Sequence, residues 1–174
     1  MQTADGFENA DFNLYQAIVE QATEAVIFAD RDGAIRVWNR GAEAIFGYAA
    51  AEVLGKSLDL IIPERLRRAH WEGFRRAIDS GNTKHGARVL TTRSVHKDGR
   101  KLYLDLSFGL IKDAAGVVAG ALAVGRDCTA REAARGGGEA AGRQAGGNPG
   151  VALDSFPSFS RCFARAVEPG DEGE

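Results

Sequence analysis

The sequence is short of most features that would declare an activity at once. It has two cysteines, Cys128 and Cys162, with no CxxC spacing and no histidine cluster beside them, which gives structural zinc no support. Its formal net charge is -2, and no basic stripe of the kind a nucleic-acid surface needs runs through it. The longest apolar run, Gly116 to Val124, is about half of what a spanning helix requires, so no membrane insertion is expected. MQTADGFENA at the start lacks the basic and apolar regions of a signal peptide. With reduced thiols as the default, a cytoplasmic protein is expected. There is no GxSxG elbow, phosphate-binding P-loop, HExxH or GxGxxG, and no set of acid, base and nucleophile stands out, so no enzyme is expected.

What is present is an ordinary globular composition. The 174 residues are 44% hydrophobic and 26% charged, enough for one domain with an appendage. Residues 1–10 are polar and read as disordered. Leu14, Tyr15, Ile18, Val19 and Ala22 recur at helical spacing over 11–22. AVIFA and AIRVW, separated by DRDG, predict two antiparallel strands and a tight turn. Asn39 is placed to cap a short helix through Phe46 that Gly47 closes, and Ala50 to Leu54 is another short helical piece. A longer helix is predicted over 64–80, with Pro63 suited to its first turn.

Three strands follow, over 87–95, 102–111 and 117–125, with turns at HKDGR and DAAG. Leu102, Leu104, Leu106, Phe108 and Leu110 alternate with Tyr103, Asp105, Ser107 and Gly109, the period of a half-buried strand. Thr129 to Glu132 forms a capping-box pattern for an exit helix. From Gly136 to Glu174 the chain is Gly/Ala-rich and reads as a disordered tail, with SFPSFSRCF its one aromatic cluster. Five strands, with helices gathered between the second and third, predict an α+β domain over 11–135: an antiparallel sheet covered on one face.

His70 is the residue that raises a question. It lies four residues after Leu66 and four before Phe74, on the apolar face of the long helix, while Arg67, Arg68, Glu72, Arg75, Arg76 and Asp79 occupy the rest. Arg68, Glu72 and Arg76 make a solvated ladder at i, i+4 spacing. An inward histidine can be a hydrogen-bonded core residue, a metal ligand or a pH-dependent switch.

VWNRGAEAIFGY (37–48), EVLGKSL, IIPE, HKDGRKLYLDLS and the closing GRDCTARE together resemble a PAS domain of the S-box type, over about 12–135. The resemblance implies a five-stranded antiparallel PAS sheet cupping a cavity under the short helices, and a sensory role relayed through terminal helices. Within the family, Pro63-Glu64, a basic segment and His70 are similar to the proximal-histidine stretch of the haem PAS domains in oxygen-sensor histidine kinases, and the segment can be laid alongside through Lys97-Asp98-Gly99 without gaps. That likeness implies haem b bound through His70, with Leu90, Leu106 and Phe108 on the distal side and Arg76 and Lys84 as partners for the propionates.

Leu90 stands where those sensors carry a distal arginine, so bound O₂ would lose a charged hydrogen bond worth roughly 1.5–3 kcal/mol, favouring carbon monoxide or nitric oxide. Arg88 and Arg93 are near but differ in register. A flavin of the LOV type needs a reactive cysteine beside the ring, and none precedes Cys128. Non-covalent FAD could stack on Trp38; Trp71, off the His70 face, reads as a partly exposed helix residue or a dimer contact. No cofactor at all remains open: a ligand-free interaction module with a self-filled cavity is the alternative reading. Asp127 and Thr129 occupy the Asp-X-Thr position that joins the last strand to the exit helix, and imply the signal relay. The expected partners are a second copy or another PAS-containing protein in trans; the apolar stripe of the N-terminal helix could serve dimerisation or equally pack on the chain's own sheet.

Overall fold

The computed structural model describes residues 13–83 and 88–142, with residues 136–142 as backbone only. The N-terminal segment expected to be disordered, Lys84, and all but the start of the C-terminal tail fall outside these residues. In chain order the elements are α1 (Leu14–Gln21), β1 (Ala25–Asp30), β2 (Ile35–Trp38), α2 (Arg40–Phe46), α3 (Ala50–Val53), a 3₁₀ turn at Leu58–Leu60, α4 (Glu64–Ser80), β3 (Leu90–Val95), β4 (Lys101–Lys112), β5 (Val118–Asp127) and α5 (Thr129–Gly142). The five strands form one antiparallel sheet in the order β2-β1-β5-β4-β3.

The turns are made by aspartates at the positions where the sequence predicted them. Asp30 Oδ1 accepts from the Asp32 and Ala34 amides, and Asp113 Oδ1 from those of Ala115 and Val117. Each such side chain stands in for a backbone acceptor and fixes the hairpin. Gly33, at φ 81, is required twice over, because a Cβ there would lie 2.2 Å from Cη2 of Trp71.

The core lies between the sheet and the α2–α4 segment. Leu102, Leu104 and Leu106 of β4 are buried on this face, beside Ile27 and Ala29 of β1. Opposite them α4 buries His70, Gly73, Phe74, Ala77 and Ile78, one stripe of a helix whose other positions carry the charge. Arg68 and Glu72 form the expected i, i+4 pair at 3.0 Å. Gly81, left-handed at φ 66, ends the helix.

One expectation about the exit helix needs correction. α5 begins at Thr129, directly after β5. The Thr129–Glu132 capping box is not formed. Thr129 Oγ1 instead accepts from the Tyr103 amide of β4 at 2.9 Å, and Asp127 Oδ1 accepts from the Thr129 amide at 2.7 Å. The Glu132 carboxylate faces Arg131 and Arg135 rather than the backbone. A cross-strand donor was available to Thr129, so the hydroxyl ties strand to helix instead of closing the helix on itself.

Candidate functional site: the cavity beneath α4

α4 sets His70 against the sheet with 0% of its surface exposed. Its ring packs edge-on to Trp71, centroids 5.0 Å apart at 78°, and lies 6.0 Å from Phe74. Burial pushes its pKa down to about 3, against a smaller opposing pull from the Asp59 carboxylate. At neutral pH the ring is therefore the uncharged imidazole, the form that can ligate a metal.

His70 lines a cavity of about 30 Å³ whose walls are mostly apolar: Ile27, Phe46, Leu58, Ile62, Phe74, Leu104, Leu106 and Phe108 among them. Two hydroxyls also border it, and both are committed to backbone carbonyls. Thr92 Oγ1 donates to Leu104 O at 3.3 Å, and Ser94 Oγ donates to Ile61 O. Arg93 also lines the cavity, and His70 is the fully buried titratable group on its wall. Among the described residues no group of three or more His, Cys, Asp or Glu is placed to hold a metal ion, and no helix is long and apolar enough to cross a membrane.

The residues named from the sequence are only partly brought together. Leu106 and Phe108 share the cavity with His70. Leu90 does not border it; it packs with Phe108 and Leu110 against Ala77. Arg76 lies on the exposed side of α4, and Lys84 is outside the described residues. Arg93 sets its guanidinium over the Tyr103 ring, 5.9 Å from the centroid. Trp38 is buried against Phe46, its Nε1 donating to Tyr48 O at 3.1 Å, and it does not line the cavity, so it presents no open face for a flavin to stack on. Trp71 is half-buried over the β1–β2 turn and donates to Asp59 Oδ1 at 2.8 Å. Cys128 is buried at the end of β5, away from the cavity, with burial and the nearby Asp105 charge raising its thiol pKa to about 11.

A second cluster lies outside the cavity. On the opposite face of β4, Asp105 takes Arg131 of α5 in a two-pronged pair, Nη1 to Oδ2 at 2.6 Å and Nη2 to Oδ1 at 3.0 Å, and Thr91 Oγ1 donates to its Oδ1 at 2.7 Å. These bonds, ahead of the opposing cost of burial, hold the Asp105 pKa down at about 2. The strand alternation places Asp105 outward, but nothing local marks an arginine 26 residues later as its partner.

A family model for the PAS fold matches residues 13–128. The chain belongs to the PAS family. Over 103 residues the PAS domain is 29% identical to the oxygen sensor protein DosP of Escherichia coli (strain K12), an alignment covering 59% of this chain and 13% of that protein. The curated relatives are matched over only 12% and 13% of their lengths, so the chain spans a small part of each. Among solved structures it resembles the PAS domain of a protein from Colwellia psychrerythraea (TM-score 0.58, 22% identity, 66% of this chain and 94% of that one). It also resembles an RNA-binding light-oxygen-voltage receptor (TM-score 0.62, 22% identity, 82% and 40%). These likenesses establish the PAS fold. The expected α+β architecture, an antiparallel five-stranded sheet with helices on one face, is the one observed.

The donor chemistry of the cavity fits haem, because a buried neutral imidazole faces apolar walls. The space does not. A cavity of about 30 Å³ holds roughly one or two waters, whereas pockets for ligands of cofactor size run to about 300–1,000 Å³.

Proposed function

We propose that this PAS domain is a signal-sensing module that reads a small ligand or cofactor in the cavity beneath α4, with His70 as the group that reads it. Haem b is the cofactor that His70 best suits, and FAD is less favoured. The carrying observation is the full burial of an uncharged His70 on an apolar wall. A neutral ring nitrogen in surroundings that exclude water is what iron ligation asks of a protein. The likeness to an oxygen sensor adds to that reading. Leu106 and Phe108 would bound the same space, and Arg76 and Lys84 are the proposed partners for the carboxylates of such a cofactor. Binding would require α4 to draw back from the sheet, since the packed cavity is too small.

Asp127 and Thr129, joined to the β4 backbone through Tyr103, would relay the change to α5 and on to a partner in trans, either a second copy or another PAS-containing protein in the cytoplasm. The small cavity volume favours a second reading, in which the core is filled by its own side chains and the domain serves protein–protein docking.

Absorption spectra of the purified protein, as isolated and after hemin, with a His70→Ala variant alongside, separate the two. The expected result is a sharp Soret band that shifts on reduction under CO and is lost in the variant. Protein absorption alone, with weak hemin binding indifferent to the substitution, would sink the haem reading and leave the docking module.

A further inference from the structure

We propose that Asp105, Arg131 and Thr91 form a latch that holds the exit helix α5 to the back of the cavity wall, so that docking of α5 follows the positions of β3 and β4. The relay deepens the sensory reading above and rests on it; the docking does not.

The first part of α5, Thr129 to Arg135, carries no apolar side chain larger than alanine. Such a helix has little hydrophobic area with which to hold a sheet. What it does bring is Arg131, whose guanidinium grips both oxygens of Asp105 at 2.6 and 3.0 Å, a fixed planar geometry that a lysine could not reproduce. Arg131 Nη2 also reaches Thr91 Oγ1 at 3.3 Å. Its Nε donates to Glu132 Oε1 at 3.1 Å, and Arg135 reaches the same oxygen at 3.3 Å. Asp105 is 8% exposed and Glu132 6%, so both carboxylates sit in a contact from which water is largely excluded. The junction is polar and specific, a construction suited to release rather than to permanent packing.

Its place in the sheet links it to the cavity. Asp105 pairs directly with Thr91 across β4 and β3, and Leu104 pairs with Thr92. Leu104, Leu106 and Thr92 line the cavity on one face while Asp105 and Thr91 carry the latch on the other. Strand side chains alternate, so each latch residue shares a backbone with cavity-wall neighbours one position away. Movement of either wall strand must shift the carboxylate or its Thr91 donor relative to Arg131.

Amide hydrogen exchange on the full chain tests this, with β1 amides as the internal marker of an intact fold. In Asp105→Asn and in Arg131→Met, amides of residues 132–135 are expected to exchange about tenfold faster, a modest figure because Arg131 is half exposed, and the double variant no faster than either single one. Unchanged α5 protection, or losses that add in the double variant, would overturn the latch. Leu106→Ala, which loosens the wall, is expected to speed α5 exchange relative to β1 in the wild-type background but not in Asp105→Asn. Equal acceleration in both backgrounds would overturn the coupling. None of these outcomes depends on hemin, so failure of the haem reading is seen separately in the spectra.

Discussion

Asn39→Ala is expected to remove about 4 kcal/mol of stability, a large part of the roughly 5–15 kcal/mol that holds a domain of this kind folded. Asn39 is 1% exposed and its side chain makes five contacts that join three elements. Oδ1 accepts from the Val26 amide at 2.9 Å and caps α2 at the Ala42 amide, 3.0 Å away. Nδ2 faces the carbonyls of Val19 (2.9 Å), Ala22 (3.2 Å) and Glu24 (3.0 Å), where α1 gives way to β1. The cap alone is worth about 1 kcal/mol, and each buried partner left without a bond costs about 1–3 kcal/mol, less where water can reach it. Urea unfolding of the variant measures the loss. Asn39→Ser should recover only the cap, since a serine hydroxyl is too short to span to the α1 carbonyls. A loss below about 1 kcal/mol for Asn39→Ala would show that α1 does not depend on this residue.

Asn39 also shows what a single sequence makes visible. Its role as an N-cap follows from local chemistry, as do Gly47 closing α2, the aspartate turns, and the phase of α4 that turns His70 inward. Local patterns of this kind repeat every two to four residues and are read directly. The other bonds of Asn39 reach residues 13 to 20 positions away, and Arg131 meets Asp105 across 26. Those pairings are set by strand order and register, which no single stretch encodes. Leu90 illustrates the same limit on a finer scale. It occupies its strand as expected, yet near the β3 start it packs on Ala77 instead of facing the cavity. Cavity volume is still further from the sequence, because it depends on how Thr92, Ser94, Ile61 and their neighbours fill space together. The identity of the candidate donor could be read; the room around it could not.

That donor should also govern acid stability. Unfolded, a histidine takes up its proton near pH 6.5; in the folded domain His70 resists protonation until about pH 3. Between those values the unfolded state binds one more proton than the folded state, so stability falls as pH falls. The expected slope is about 1.4 kcal/mol per pH unit, or about 2 kcal/mol lost from pH 7 to pH 5. The stabilising contribution is fully present above pH 6.5. Asp30, Glu52, Asp98 and Asp105 have lowered pKa values, so their contributions are lost only as pH drops below about 4, beneath the window in which His70 acts. Denaturant unfolding across that window, repeated with His70→Leu, reads the effect, and equal slopes in the two proteins would overturn it. The slope belongs to a buried neutral imidazole whether that ring is a ligand or a core residue. Hemin distinguishes the two, because a molecule that binds only the folded state adds stability in proportion to the logarithm of its concentration. If His70 is the ligand, the gain at pH 7 should be lost in His70→Leu. If His70 only fills the core, wild type and variant should respond to hemin alike while the acid slope still separates them.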